Sequence, residues 1–188
     1  MSYTDKLYGG HYYHVYNRGN NGENLFIDPD NYFYFLRLYV KYICSIADTF
    51  AYCLMKNHFH FLIKVMEDVQ SKSISRAFSN LFNAYAKAFN KYSNRHGSLF
   101  ERPFKRKLIN SQAGLIQVVC YIHSNPVKHG FVRQPTQYEY SSYRAYQFSQ
   151  ATFVKKKECL DWFSGLGGFI NYHQSMNYYS FDDEKEFV

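Results

Sequence analysis

Leu54-Met55-Lys56-Asn57-His58-Phe59-His60-Phe61-Leu62-Ile63 is the stretch from which the rest of this 188-residue chain can be laid out. Only Lys56-Asn57 separates two strand-like runs, 49–55 and 58–65, so the pair reads as a tight β-hairpin. Side chains two apart on a strand share a face. His58 and His60 therefore project together, while Phe59, Phe61, Ile63 and Val65 turn the other way, toward a core.

Upstream, residues 11–18 are rich in aromatics and run into Gly19-Asn20-Asn21-Gly22, a strand followed by a turn. Asp28-Pro29 supplies an N-cap and a first helical position, after which Tyr32, Leu36, Tyr39, Val40 and Ile43 recur at helical spacing. Downstream, 73–94 reads as a long helix with the stripe Ile74, Phe78, Leu81, Phe82, Tyr85, Phe89 and Tyr92, stopped near Gly97. A basic strand, 104–109, leads to a helix capped by Ser111. Its core face is Leu115, Val119 and Ile122, and it is expected to end before Pro126, because a residue preceding proline resists the α region. The order strand, helix, strand, strand, helix, strand, helix predicts an α+β fold. It is a ferredoxin-like split βαβ arrangement, a mainly antiparallel sheet with helices packed on one face. Residues 1–150 form the expected domain. Residues 151–188 are read as a helical appendage (around 156–173) and an acidic tail at 181–188.

The composition, 46% hydrophobic and 21% aromatic, suits a packed core and excludes disorder. No apolar run approaches the length of a membrane span, and Met1-Ser-Tyr-Thr-Asp-Lys6 has no apolar signal region. Cys44, Cys53, Cys120 and Cys159 form no C-x-x-C pair and read as reduced, buried thiols. Charge is unevenly placed. Residues 71–133 hold eleven Lys/Arg against one acid, Glu101, whereas the rest holds eleven against fourteen. A positive segment in a chain of net charge +7 points to a polyanion.

His-x-His on a strand can chelate one divalent ion, but the same pattern also occurs as ordinary surface histidines. A second constellation is Tyr121-Ile122-His123-Ser124-Asn125-Pro126, in which Tyr121 and Asn125 lie one turn apart on a helix face distinct from the core stripe. His123 falls roughly 200° round the helix from Tyr121 and reads as structural. Together the two sites make chemical sense. A cation held by two imidazoles and an amide oxygen keeps positions open for a phosphate oxygen. A phenol, with a pKa near 10, becomes a nucleophile once its phenolate is favoured.

The hairpin stretch resembles the histidine–hydrophobic–histidine motif of the HUH single-tyrosine transposases. The segment 121–132 resembles the catalytic-tyrosine helix of their REP-associated branch. Segments 13–19, 96–105 and 141–146 extend the likeness over about residues 11–146. The resemblance implies that Tyr121 is the nucleophile and that His58, His60 and Asn125 bind Mg²⁺ or Mn²⁺. It implies attack on single-stranded, hairpin-associated DNA with palindromic elements, through a covalent 5′-phosphotyrosine and a free 3′-OH. The protein acts as a monomer or a homodimer under this reading, in the cytoplasm and on the nucleoid when bound to DNA.

Lys105, Arg106 and Lys107, between the two motif segments, are expected to bind phosphates, with Arg18, Arg76, Lys87, Lys91, Arg102, Lys128 and Arg144 extending the track. Tyr12, Tyr16, Phe100 and Tyr143 are candidates to stack unpaired bases. His14 can reach the site from the neighbouring strand. His129 and His173 show no partner pattern. Two other classes compete: a domesticated DNA- or RNA-hairpin-binding protein that no longer cuts, and a zinc hydrolase. The second lacks a carboxylate or cysteine at ligand spacing.

Overall fold

A computed structural model describes residues 5–149 and 151–175. The acidic tail at 181–188 lies outside the described residues. Four strands, β1 (Tyr12–Arg18), β2 (Ala47–Met55), β3 (His58–Val65) and β4 (Lys105–Ile109), form one antiparallel sheet in the order β2-β3-β1-β4. Two crossover helices, α1 (Pro29–Ile43) and α2 (Ser71–Tyr92), connect them. This is the expected α+β arrangement, with the two histidine-bearing strands β1 and β3 at the sheet centre.

The helices do not all pack on one face, and this corrects the expectation. α1 and α2 cover the face bearing Tyr13, Val15, Phe59, Phe61, Ile63 and Val65. α3 (Gln112–Lys128) covers the opposite face with α4 (Tyr143–Gln147), α5 (Lys156–Trp162) and α6 (Leu166–Ser175), around Cys53, Met55, Leu62, Val119 and Phe169. A split βαβ unit accounts only for its two crossovers. The sheet's other face must also be buried, and the chain after β4 does it. The segment 154–175 belongs to this second core: Val154, Cys159, Phe163, Phe169 and His173 are all buried.

Local chemistry sets most element ends. Asp28 caps α1 by accepting from Asn31 N (3.1 Å), and Ser111 caps α3 by accepting from Gly114 N (3.1 Å). α2 stops earlier than expected, at Tyr92. Asn94 takes the left-handed conformation there (φ 49°), and Arg95 N closes on Asn90 O. Tyr92 is exposed, outside the buried stripe.

The expected end of α3 before Pro126 is also corrected. The helix runs on to Lys128 because proline removes one donor, and His129 N → Asn125 O (3.0 Å) still closes the final turn. Pro126 and Val127 are buried, and that burial offsets the lost bond. The extra turn carries Lys128, and His129 at its cap, along the Tyr121 face.

Candidate active site

The histidine-bearing face of the sheet looks toward α3. In the β1–β3 register Tyr16 lies opposite His60 and Arg18 opposite His58. On the other side of β1, His14 lies opposite Lys107 and Tyr16 opposite Lys105. Alternation along three neighbouring strands thus gathers His14, Tyr16, His58, His60, Lys105 and Lys107 on one surface. α3 crosses that surface and lays Tyr121 edge-on against His60, with ring centroids 5.3 Å apart, and against His14 at 5.7 Å. A cavity of about 410 Å³ opens here, lined by His58, His60 and Tyr121 with Tyr16, Arg18, Lys105 and His129. The hairpin turn is fixed to β1 by Gly19 N → Asn57 O (2.8 Å). A side chain on Gly19 would run into the Glu23 backbone.

Each histidine of the pair is oriented by a neighbour. His58 Nδ1 contacts Asn57 Oδ1 at 2.8 Å, so it donates to the amide oxygen. His60 Nδ1 shares a proton with His14 Nε2 at 3.0 Å. Both imidazoles therefore engage their neighbours through Nδ1, so Nε2 is the atom that would ligate a metal. Burial holds His60 well below the usual imidazole range, with the histidines around it and Lys128 adding to the effect. Burial and the Lys107 charge push His14 down to about 3. Neutral imidazoles are the form that binds metals.

Asn125 is fully buried, one turn beyond Tyr121, and is not among the cavity-lining residues. Its Nδ2 donates to Tyr121 O (2.9 Å), which fixes the amide orientation. Its Oδ1 is a buried acceptor with no hydrogen-bond partner among the described residues. An unsatisfied carbonyl oxygen is costly unless something completes it, and a hard cation is one such completion. Among the described residues, no three His, Cys, Asp or Glu side chains gather as a metal cage. The donor set fits Mg²⁺ or Mn²⁺ held by two imidazoles and an amide oxygen, and it does not offer the thiolates or carboxylates of a tight zinc site.

The expected phosphate-binding residues separate into groups. Arg18 and Lys105 line the cavity. Arg18 pairs with Glu101 at 2.6 Å, and Lys105 sits 5.9 Å from the Tyr16 ring centroid. Lys107 and Lys128 lie near enough to shift the buried histidines. Lys87, Arg102 and Arg106 line a neighbouring groove, and Arg76 and Lys91 are exposed on α2. Arg106 is half-buried and donates to Asp5 O (2.6 Å). Arg144 is exposed on α4, beside a separate depression. Of the candidate stacking rings, Tyr16 lines the cavity, whereas Phe100 and Tyr143 are core residues. Tyr12 is half-buried and bonded to Glu158 (2.6 Å).

His129 is the residue that sequence reading missed. It lies 5.2 Å from His58, centroid to centroid, two turns beyond Tyr121. The signal was its spacing, i+8 from Tyr121 and i+4 from Asn125, masked by the expectation that α3 had already ended.

No protein-family model matches this chain. A Haemophilus influenzae protein named as a candidate REP-associated tyrosine transposase is 30% identical over 103 residues, 51% of this chain and 58% of that protein. The chain thus spans little more than half the length of that curated relative. A solved structure, of a REP-associated tyrosine transposase bound to a REP hairpin, superposes with a TM-score of 0.59. It covers 77% of this chain and 84% of the other at 22% identity, and so shows a shared fold. The chain is thus similar in sequence, over about half its length, to one protein of that name and shares its fold with another. The strand that carries His58 and His60 and the helix that carries Tyr121 face one another across the 410 Å³ cavity. Among the described residues no helix is long and apolar enough to cross a membrane.

Proposed function

We propose that this protein is a transposase or nickase that cleaves and rejoins single-stranded, hairpin-associated DNA through a covalent 5′-phosphotyrosine on Tyr121. The observation that carries this reading is the convergence of Tyr121, His58 and His60 on one cavity flanked by Arg18 and Lys105. The similarity to transposases, including one solved with a DNA hairpin, supports the substrate class.

Arg18 and Lys105 draw a phosphodiester into the cavity and fix its orientation. His58, His60 and Asn125 would hold a divalent cation, Mg²⁺ or Mn²⁺, which would supply Lewis-acid polarisation of the scissile phosphate. Tyr121 Oη attacks phosphorus and gives up its proton. The bond from phosphorus to the 3′ oxygen breaks, and that oxygen leaves as a 3′-OH after taking a proton. The phosphotyrosine ester retains the energy of the phosphodiester, so a second 3′-OH can reverse the step and join a new strand without ATP. His14 holds the His60 ring, and Asn57 the His58 ring, in the ligating orientation.

The test is incubation with labelled hairpin DNA and Mn²⁺ followed by denaturing gel analysis. The wild-type chain is expected to form an SDS-resistant adduct, and Tyr121→Phe to form none while its affinity for the hairpin changes less than about threefold. Tight hairpin binding without an adduct from the wild-type chain would replace this reading with that of a non-cleaving binder.

A further inference from the structure

The sheet surface beneath α3 is ordered in rows across the strands as well as along them. Antiparallel pairing sets Tyr16 of β1 opposite His60 on one side and opposite Lys105 on the other, so these three residues form one row. His14 stands two residues before Tyr16 on the same face of β1. The three rings at this corner lie nearly parallel. Tyr16 stacks on His14 with centroids 4.8 Å apart and planes at 26°, and on His60 at 5.6 Å and 28°. The two imidazoles stack on each other at 5.1 Å and 25°. The Lys105 ammonium stands over the same Tyr16 ring, 5.9 Å from its centroid.

An aromatic ring beside a nucleic-acid cavity can serve as a platform for a base or as a support for its neighbours. Burial decides between the two. Tyr16 is only 7% exposed, with imidazoles packed on it from its own strand and from β3 and an ammonium reaching over it from β4. Little of the ring is left for an incoming base.

His60 needs such a support more than His58 does. The χ2 torsion of a histidine has a broad minimum, so its ring plane is soft. The contact of His60 Nδ1 with His14 Nε2 (3.0 Å) fixes one atom of the ring but not rotation about that line. The lone pair of Nε2 lies in the ring plane, so such a rotation turns it away from a bound cation. A second ring lying flat against His60 removes that freedom. His58 has no flat neighbour of this kind: its printed ring contacts, with His60 and His129, are both edge-on at 5.2 Å. Tyr121 lies edge-on to both His60 and His14, so the stack that sets the His60 plane also backs the proposed nucleophile.

We propose that Tyr16 is a positioning residue of the metal site, whose ring holds the His60 imidazole in the plane that presents Nε2 to the cation. The ring, rather than the hydroxyl, does this. The inference rests on the metal site of the proposed function, and it gives Tyr16 a task other than holding DNA.

The experiment measures binding of Mn²⁺ alone to the full chain by electron paramagnetic resonance, at a temperature well below the melting point of every variant. Tyr16→Leu is expected to weaken Mn²⁺ about 3- to 10-fold, the scale of a lost ring contact behind a ligand. Tyr16→Phe keeps the stack and is expected to stay within about twofold of wild type. In the metal-free protein with ¹⁵N-labelled histidine, wild type and Tyr16→Phe are expected to give one sharp set of His60 ring signals, and Tyr16→Leu a broadened or multiple set. Should Tyr16→Leu fail to fold, Tyr16→Met, whose flexible side chain fills irregular gaps, takes its place in both measurements. A lowered melting temperature with Mn²⁺ affinity and ring signals unchanged would reduce Tyr16 to packing and overturn the proposal. Equal loss in Tyr16→Phe and Tyr16→Leu would assign the effect to the hydroxyl and overturn it as well. Absence of Mn²⁺ binding by the wild-type chain overturns the metal site beneath, whereas equal binding by wild type and Tyr16→Leu overturns the role of Tyr16 alone.

Discussion

Two pairs of histidines in this protein share a ring-nitrogen contact of 3.0 Å, His14 with His60 and His123 with His173, and burial pushes every one of the four pKa values down. They differ in what the pair leads to. His173 Nδ1 contacts Phe169 O (2.8 Å), an acceptor only, so His173 donates there and accepts from His123 Nδ1. His123 Nε2 then accepts from Ser142 Oγ (2.7 Å). That chain of neutral groups begins and ends within the protein and ties α3 and α6 to the residue that holds β2 through Tyr52 N (2.8 Å). The His14–His60 pair instead runs out to a cavity rimmed by Arg18 and Lys105 and faced by Tyr121. Perturbed titration is equal in kind at both places. Open polar surroundings with cations at the rim, rather than the shift itself, separate the chemical pair from the structural one.

Exchanging the damage between the pairs is the strongest way to break that contrast. His60→Ala is expected to lower adduct formation by roughly 10³-fold or more, as for loss of an essential group, while the melting temperature falls by only a few degrees. His123→Ala is expected to do the reverse. It strands Ser142 and His173 in the second core and costs about 3 kcal/mol, or roughly 6–12 °C for a chain this size, with near-normal adduct yield in the cold. Thermal melts and gel assays on both variants check this. Similar losses of stability and activity in the two would erase the distinction.

His14 sharpens the comparison within the first pair. His14→Leu removes the partner of His60 Nδ1, and Mn²⁺ affinity, read by electron paramagnetic resonance, is expected to fall about 10- to 100-fold. His14→Gln keeps an acceptor at the same place and is expected to recover most of that loss. Equal affinity in all three proteins would mean that His14 does not orient His60.

Acid separates the structural pair by its effect on folding. His173 sits at about pH 4 in the fold, whereas an unfolded chain binds that proton near pH 6.5. The unfolded state therefore gains protons first as pH falls. Stability is whole above about pH 6.5, is lost between there and about pH 4, and levels below that. Urea melts at pH 7 and pH 5 are expected to differ by about 1–2 kcal/mol from this group, a difference absent from His173→Gln. An undiminished pH dependence in that variant would place the titrating group elsewhere.

How much of this was legible in the sequence follows the range of the interactions. The hairpin was legible because its two strands are separated by two residues, and strand alternation then fixed the direction of His58 and His60. The outward turn of His123 from Tyr121 was legible from the helical period. Its bond to His173, fifty residues away, was not, since no local pattern reports a pairing made only when α6 docks on α3. Placing helices on a single face failed for the same reason, because the second core is assembled from residues 50 to 169. The error at Pro126 was of another sort. A sound local rule about proline was outweighed by the burial of Pro126 and Val127, and with the last turn went His129.

Lys105 gives the smallest effect and tests the rim itself. It lines the cavity, lies over the Tyr16 ring and extends from the edge strand β4 on the same face as His60. Replacing it by alanine removes one phosphate contact and leaves the histidine pair intact. Hairpin affinity is expected to fall only about two- to fivefold near 0.15 M salt, and the slope of log K against log salt to become shallower by about 0.7, one counterion on a single strand. Among the described residues no Lys or Arg charge contributes to the shift of His123 or His173, and substitutions around that pair are expected to leave the salt slope unchanged. A slope equally steep in Lys105→Ala would mean that the strand's phosphates do not cross this cavity, and the difference between the two pairs would then need a cause other than the polyanion.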